Sequence, residues 1–354
     1  WGSAGGTVGT TIGAIVALIF ILLVYDRKRF AEKAEDENKA EKHISDRKIL
    51  KKLIKYGVPI ILVAALQNSS GMIDTINVKG RLLFAGFSDS KSEELFGILG
   101  CYNTLLYVPL SIVTALSAAV FPKIIQAFTM KKKKELKSQI AYSFRLTYLI
   151  TIPAALGLSM LSKEVYIMIY GSTEGYQLLM YGSVVLILMS LSAIQNTILQ
   201  GINKLYLVLS TAFLSIIIKF VINYILVGMK DVNILGAVFA SFFAFLVPVI
   251  INHTRLRRIF KMRIPIIKLG VVPFMASCVM ALSIYLCRIP INRIMNIVQG
   301  GRLLISLVTL ILIAIGGAVY FVTMILLGGI KKRDLDMISP RLFTLLPRFL
   351  RKNM

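Results

Sequence analysis

The chain has 354 residues, 56% of them hydrophobic and 16% charged, with a mean hydropathy of +0.76. A soluble globular domain carries about 45–50% apolar and about 25% charged residues, so this composition excludes an ordinary cytosolic enzyme and places the chain in a bilayer. Its 41 Lys and Arg against 17 Asp and Glu give +24. In a soluble protein that excess would suggest nucleic acid; in a membrane protein it marks loops held at one leaflet.

Trp1-Gly2-Ser3 is not a translational start, so the sequence reads as a piece of a longer chain. The apolar run from Ala4 to Tyr25 begins almost at once, without the basic flank, short apolar core and cleavage site of a signal peptide, and reads as a spanning helix. A span needs about 20 mostly apolar residues. Nine stretches qualify: 4–25, 53–76, 96–122, 140–161, 177–200, 205–228, 234–254, 266–287 and 303–327. Short links, such as Gly201 to Lys204 and Met229 to Asn233, make neighbouring helices antiparallel. No alternating strand pattern is long enough for a barrel. The expected fold class is therefore an all-α polytopic membrane protein, a helical bundle.

Links after every other span hold 30 of the 41 basic residues, the opposite set holds 8, and Lys55, Arg145 and Lys219 lie within spans. The asymmetry puts the richer set in the cytoplasm, with the C-terminus inside and Trp1 outside, and turns the net charge into topology; no nucleic-acid partner is expected. Residues 26–52, rich in Ala, Glu and Lys, read as a solvated cytoplasmic connector between two bundles that move relative to each other. At the other end, Arg341, Arg348, Arg351 and Lys352 mix with Leu342, Phe343, Leu345, Leu346, Phe349 and Leu350. That tail reads as a basic amphipathic segment on anionic inner-leaflet lipids, or else as a frayed terminus.

Polar residues inside spans are costly and face a cavity or a partner. Pro59 is expected to kink the second span near its cytoplasmic end, and Gln67, Asn68, Ser69, Ser70, Asp74 and Asn77 crowd its outer half. Gln67, Ser70, Asp74 and Asn77 are spaced three, four and three apart and share one face, as a water-filled transport cavity requires. Interhelical hydrogen bonding is the competing reading. Lys79 and Arg81 follow, where snorkelling explains them equally well. Arg145 begins the fourth span. Lys219, in the middle of the sixth, offers a point charge to an anionic substrate such as a diphosphate, or pairs internally with a carboxylate such as Asp74. Gln195, Asn196 and Gln200 cluster at the end of the fifth span, and Asn223 lies one turn from Lys219. These amides suit sugar hydroxyls, with packing as the plain alternative. Pro109 and Pro153 mark further kinks that permit rocking of one bundle against another.

Catalytic signatures are lacking: there is no phosphate-binding Gly-rich loop, no nucleophile elbow and no metal motif. His43 falls in the charged connector and His253 at a helix end. Cys101, Cys278 and Cys287 sit in apolar stretches without metal-ligand spacing. The chain is expected not to be an enzyme and to need no cofactor or metal.

The run Tyr56-Gly57-Val58-Pro59-Ile60 leading to Ile73-Asp74-Thr75 resembles the seventh helix of the polysaccharide-exporting, MurJ-like branch of the multidrug/oligosaccharidyl-lipid/polysaccharide (MATE-type) flippase superfamily. Similar stretches follow in order: Leu116 to Pro122, Pro153 to Leu158, Thr197-Ile198-Leu199-Gln200-Gly201-Ile202-Asn203-Lys204, Lys219 to Tyr224 and Gly236 to Ser241. The likeness is greatest to the stage V sporulation protein B-like (SpoVB-like) members. It implies fourteen helices in two six-helix lobes plus a terminal pair, the nine here being the sixth to the fourteenth. On that plan 1–25 is the last helix of the first lobe, 26–52 the inter-lobe linker, 53–254 the second lobe, 255–327 the terminal pair and 328–354 the tail.

The resemblance further implies a multi-pass protein of the bacterial plasma membrane, working as a monomer when full length. A cavity between lobes would alternate between inner and outer openings and carry a polyprenyl-diphosphate-linked saccharide, a lipid II-type precursor for cell wall or spore cortex. With no nucleotide site, an ion gradient or the membrane potential would drive it. Cavity candidates are Lys219, Arg145, Asp74, Asn68, Gln67, Ser70, Asn77, Asn223, Gln195 and Gln200. The alternative from the same superfamily is an organic-cation antiporter, which would want cavity carboxylates where the spans offer essentially Asp74. A scaffold or membrane-bound enzyme is the third reading.

Overall fold

In hydrocarbon every backbone N–H and C=O must find its partner within the segment, so apolar stretches of this length fold as helices. The computed structural model describes residues 11–13, 15–24, 46–261, 265–298 and 301–329. Most of the connector 26–52, nearly all of the tail 328–354 and the side chains of Pro59, Gln67, Asn68 and Ser70 lie outside the described residues.

The described residues form helices joined by turns, with no strand among them. In chain order they are α1 (Thr11–Val24), α2 (Asp46–Phe84), α3 (Asp89–Thr129), α4 (Lys133–Met160), α5 (Ser162–Tyr170), α6 (Tyr176–Gly182), α7 (Val185–Gly201), α8 (Leu205–Leu226), α9 (Leu235–Phe260), α10 (Ile266–Val298) and α11 (Arg302–Leu326). Among the described residues α3, α4, α8, α9, α10 and α11 are long and apolar enough to cross a bilayer, and the bent pair α6 and α7 makes up to a seventh when counted as one span. The two other spans read from the sequence fall on α1, a shorter apolar helix, and on α2, which has 39 residues but carries the crowded polar face.

The chain divides into two compact units, Trp1–Tyr56 and Gly57–Met354. In the first, the described residues form α1 and the start of α2. The second is a helical bundle with two apolar cores. One lies toward the α2–α3 turn, around Leu82, Tyr102, Leu106, Leu179 and Leu186. The other lies toward the α3–α4 turn, around Ile124, Ile140, Phe144, Ile198 and Phe260.

Two local features differ from the uniform spans read in the sequence. The stretch 177–200 is bent by 56° between α6 and α7. The break, at Ser183 and Val184, follows Gly182, whose carbonyl takes the Tyr102 hydroxyl at 3.0 Å; a Cβ on Gly182 would collide with the Tyr102 ring. A Gly-Ser pair and an inserted side chain are two recognised causes of such bends. The link 162–176 contains the short helix α5, to which the terminal pair is fastened. Arg302 donates to the carbonyls of Met168 (3.1 Å) and Ile169 (2.9 Å) at its end, and Arg288 pairs with Glu164 at 2.6 Å.

Left-handed residues stop the helices cleanly. After α7, Asn203 (φ 58) places its N–H on the Gln200 carbonyl and that of Lys204 on the Leu199 carbonyl. This is the paired-bond Schellman arrangement that satisfies otherwise orphaned carbonyls. The same pattern ends α3 at Lys131 and α11 at Gly328. It gives the stretch Thr197 to Lys204 a physical reason: Asn203 tolerates the left-handed backbone, and Gly201 lets α7 approach α3, since a Cβ there would lie 2.7 Å from the Phe121 ring.

Candidate functional site

A row of polar contacts joins α2 to α8. Lys219 Nζ donates to Asp74 Oδ2 at 2.6 Å, with the two side chains 5% and 6% exposed. Asn223 Nδ2 donates to the other carboxylate oxygen, Oδ1, at 3.0 Å. One turn on, Asn77 Nδ2 donates to the Phe220 carbonyl at 3.0 Å. Beyond it, Arg81 Nε donates to the Tyr224 carbonyl at 2.8 Å while its guanidinium lies 4.0 Å from the ring centres of both Phe84 and Tyr224. Positions 74, 77 and 81 share one face of α2, and 219, 220, 223 and 224 share one of α8, so helical periodicity sets the row. At its outer edge Lys79 pairs with Glu93 (2.8 Å) and Asp89 (3.2 Å), and these hydrogen bonds, the Glu93 one foremost, raise the lysine above its ordinary pKa.

Beside this seam lies a cavity of about 480 Å³, walled by α2, α3, α7, α8 and α9. Apolar side chains such as Leu66, Leu110, Met189 and Phe245 line part of it, together with the amphipathic Tyr107. The polar lining is Thr114, Ser192, Asn196, Thr197, Gln200, Thr211, Ser215 and Lys219. Among the described lining residues Lys219 alone carries a charge, and Asp74 neutralises it. The wall is thus rich in hydroxyls and amides, close to neutral, with an ammonium at its end toward α2. Mixed apolar and convergent polar lining of this kind is what small-ligand sites show.

Two prolines contribute to the site's framework through the carbonyls they free. Pro153 lacks the N–H that would bond the Leu149 carbonyl, and the Tyr320 hydroxyl of α11 donates there at 2.8 Å. Pro248 likewise frees the Ala244 carbonyl, which takes the Ser215 hydroxyl of α8 at 2.6 Å. In a bilayer such re-satisfaction by neighbouring helices is what makes internal proline tolerable. Helix continues through Pro109 and Pro153, as it does through position 59.

The sequence candidates separate into groups. Lys219, Asp74, Asn223 and Asn77 meet at the seam, and Gln200, with its neighbour Asn196, lines the cavity. Gln195 is fully buried with neither end of its amide partnered among the described residues. Asn196 instead accepts from Asn252 on α9 at 3.1 Å. Arg145 is placed elsewhere: its guanidinium donates from Nε (3.1 Å) and Nη2 to the Gly329 carbonyl, at the end of α11. There a cation meets the negative end of a helix, a different task from lining the cavity. Sequence reading passed over Thr114, Ser192, Thr211 and Ser215. A signal was present, since Thr211, Ser215 and Lys219 fall at steps of four on α8, as do Ser192, Asn196 and Gln200 on α7.

Comparison with known proteins supports the family resemblance. The chain is 26% identical over 335 residues to "Lipid II flippase MurJ" of Bacillus subtilis (strain 168), covering 92% of this chain and 61% of that protein. It is 24% identical over 337 residues to "Uncharacterized membrane protein YabM" of the same organism, covering 95% of this chain and 62% of that one. The chain therefore spans about three-fifths of the length of the curated relatives it matches. A solved structure, "Lipid II flippase MurJ, inward closed conformation", matches with a TM-score of 0.61 at 16% identity over 87% of this chain and 59% of that one. It shows that the fold is MurJ-like. No family model matches the chain.

Proposed function

We propose that this relative of the MurJ-like flippases carries a polyprenyl-diphosphate-linked saccharide across the bacterial plasma membrane. The observation that bears most weight is the cavity: a recess of about 480 Å³ lined by hydroxyls and amides, set inside a bundle with the MurJ fold. Gln200, Thr197, Asn196 and Ser192 suit sugar hydroxyls, because each both donates and accepts. A lipid II-type precursor for cell wall or spore cortex is the cargo, moved by alternating access between two lobes of the complete protein acting as a monomer. An ion gradient or the membrane potential supplies the drive, with no catalytic chemistry and no cofactor.

Orientation in this reading follows the basic residues. Phe128 and Phe260 meet edge to face at 6.1 Å, so Lys131 to Lys134 and Lys137 at the α3–α4 turn gather with Arg257, Arg258 and Lys261 at the end of α9. That basic rim faces the cytoplasm and its anionic lipids, with the C-terminus on the same side. The organic-cation alternative gains nothing from the geometry, because it wants an available cavity carboxylate and Asp74 is engaged by Lys219.

Thr197 on the cavity wall gives the test. In the complete gene product, with Cys101, Cys278 and Cys287 replaced by Ala, Thr197→Cys is exposed to a water-soluble maleimide in membranes. A polyprenyl-diphosphate-linked saccharide should slow labelling several-fold. Protection by lipophilic cations, and none by the lipid-linked saccharide, would transfer the site to the antiporter reading.

A further inference from the structure

The seam next to the cavity holds a chemical arrangement that packing alone does not require. A carboxylate and an ammonium, each about 95% buried, face each other at 2.6 Å within a span. Such a pair is seldom more stabilising than apolar residues of similar volume, which directs attention to what the charges do. Lys219 also lines the cavity, where a diphosphate-bearing cargo would meet it, so its ammonium stands between two competing anions.

We propose that Asp74 is a proton-exchangeable counter-ion for Lys219: ionised, it holds the ammonium and leaves the cavity wall neutral; protonated, it yields the ammonium to the phosphate oxygens of the cargo. The proposal rests on the flippase reading and assigns that site its coupling device. Asn223 supplies the second observation. Its Nδ2 already donates to Asp74 Oδ1, while its own Oδ1 is buried and has no partner among the described residues. A carboxylic acid and a primary amide form a closed pair of two hydrogen bonds, acid carbonyl to amide N–H and acid O–H to amide oxygen. An ionised Asp74 makes only the first. Once Oδ2 takes a proton it donates to Asn223 Oδ1, which satisfies the orphaned acceptor and replaces the bond that Lys219 gave up.

The step balances. One proton moves from the aqueous phase onto Asp74 Oδ2, Lys219 stays an ammonium, and the single positive charge so exposed is met by one negative charge of the cargo. An empty carrier keeps the ion pair and avoids an unmatched charge in the bilayer. Other titratable groups facing the pair are few. Tyr102 and Tyr107 on α3 are within electrostatic reach of Asp74. Further along α2, Lys79 and Arg81 are engaged with Asp89, Glu93 and Tyr224. The described lining of α7 and α9 is uncharged.

The test uses the complete gene product in lipid nanodiscs and farnesyl diphosphate as probe, with equilibrium binding at pH 5.5 and 7.5. Asp74→Asn imitates the protonated acid and should bind about tenfold more tightly than the wild type at pH 7.5, because no carboxylate competes for the ammonium. The gap should narrow as the pH is lowered. Lys219→Met should bind weakly at both, and the pH profile of Asp74→Asn gives the probe's own titration. The doubly neutral Asp74→Asn/Lys219→Met protein controls for folding. Should Asp74→Asn not fold, infrared difference spectra of the wild type take its place: probe binding should bring up a carboxylic acid C=O band that the Asp74→Asn/Lys219→Met protein lacks. Equal binding by wild type and Asp74→Asn at both pH values, wild-type binding by Lys219→Met, or no such band in the wild type would overturn the proposal. Protection of Thr197→Cys with flat pH profiles overturns the counter-ion alone; no protection and no diphosphate binding overturn the flippase reading with it.

Discussion

Removing one member of the Asp74–Lys219 pair should destabilise the protein far more than removing both. At 2.6 Å and an effective dielectric constant of ~20, the attraction between the two charges is about 6 kcal/mol before desolvation is subtracted. Desolvation consumes most of it, because each side chain is only about 5% exposed, so the net worth of the intact pair is small. Lys219→Met or Asp74→Asn alone removes one charge of the pair and leaves the other buried, and each should cost about 3–5 kcal/mol. In the double variant neither charge remains; it should lie within about 1 kcal/mol of the wild type or be more stable. The difference is a coupling energy of several kcal/mol, read by denaturant titration of the four purified proteins in one micelle system with helical circular dichroism as signal. Single variants within 1 kcal/mol of wild type, or a double variant as unstable as the sum of the singles, would refute the description of a dry, mutually neutralising pair.

Other expectations concern the framework. Tyr320→Phe withdraws the hydroxyl from the Leu149 carbonyl freed by Pro153, and should cost about 1–3 kcal/mol in the same titration; restoring an N–H with Pro153→Ala should recover part of it. Ser215→Ala should behave alike on the Ala244 carbonyl. At Gly171 the backbone is left-handed (φ +73) and an added Cβ would sit 3.0 Å from the Arg302 guanidinium, so Gly171→Ala should cost about 1–2 kcal/mol from the backbone alone. Arg145→Met should free the Gly329 carbonyl, seen as faster amide hydrogen exchange across 324–329 with the cavity's maleimide reactivity unchanged.

Much of the bundle was legible because hydrophobic length and helical period are local properties. The spans 205–228, 234–254 and 303–327 became α8 (Leu205–Leu226), α9 (Leu235–Phe260) and α11 (Arg302–Leu326) with ends shifted by a few residues. The bend between α6 and α7 was less legible. Gly182-Ser183 is an ordinary dipeptide in an apolar run, and the bend needs Tyr102, 80 residues away, to take its carbonyl. The same limit governs the site. Periodicity put Asp74 and Asn77 on one face and raised the Asp74–Lys219 pair as one of two readings, but choosing between pair and free ammonium needed α2 and α8 side by side. For Arg145, a charge within a span suggested a cavity, whereas its use at Gly329 joins residues 184 positions apart. The hydroxyls at 211 and 215 were readable in principle; their steps of four from Lys219 were simply less conspicuous than its charge.

Translocation itself tests the central claim most directly. The complete gene product, reconstituted into vesicles carrying a fluorescent polyprenyl-diphosphate-linked saccharide in the inner leaflet, is followed with a membrane-impermeant quencher. The account predicts protein-dependent exposure of the labelled saccharide, reduced at least tenfold by Thr197→Val combined with Gln200→Leu at unchanged folding. Vesicles whose labelled saccharide stays protected at every lipid composition, pH and membrane potential, with folded protein present, would contradict it.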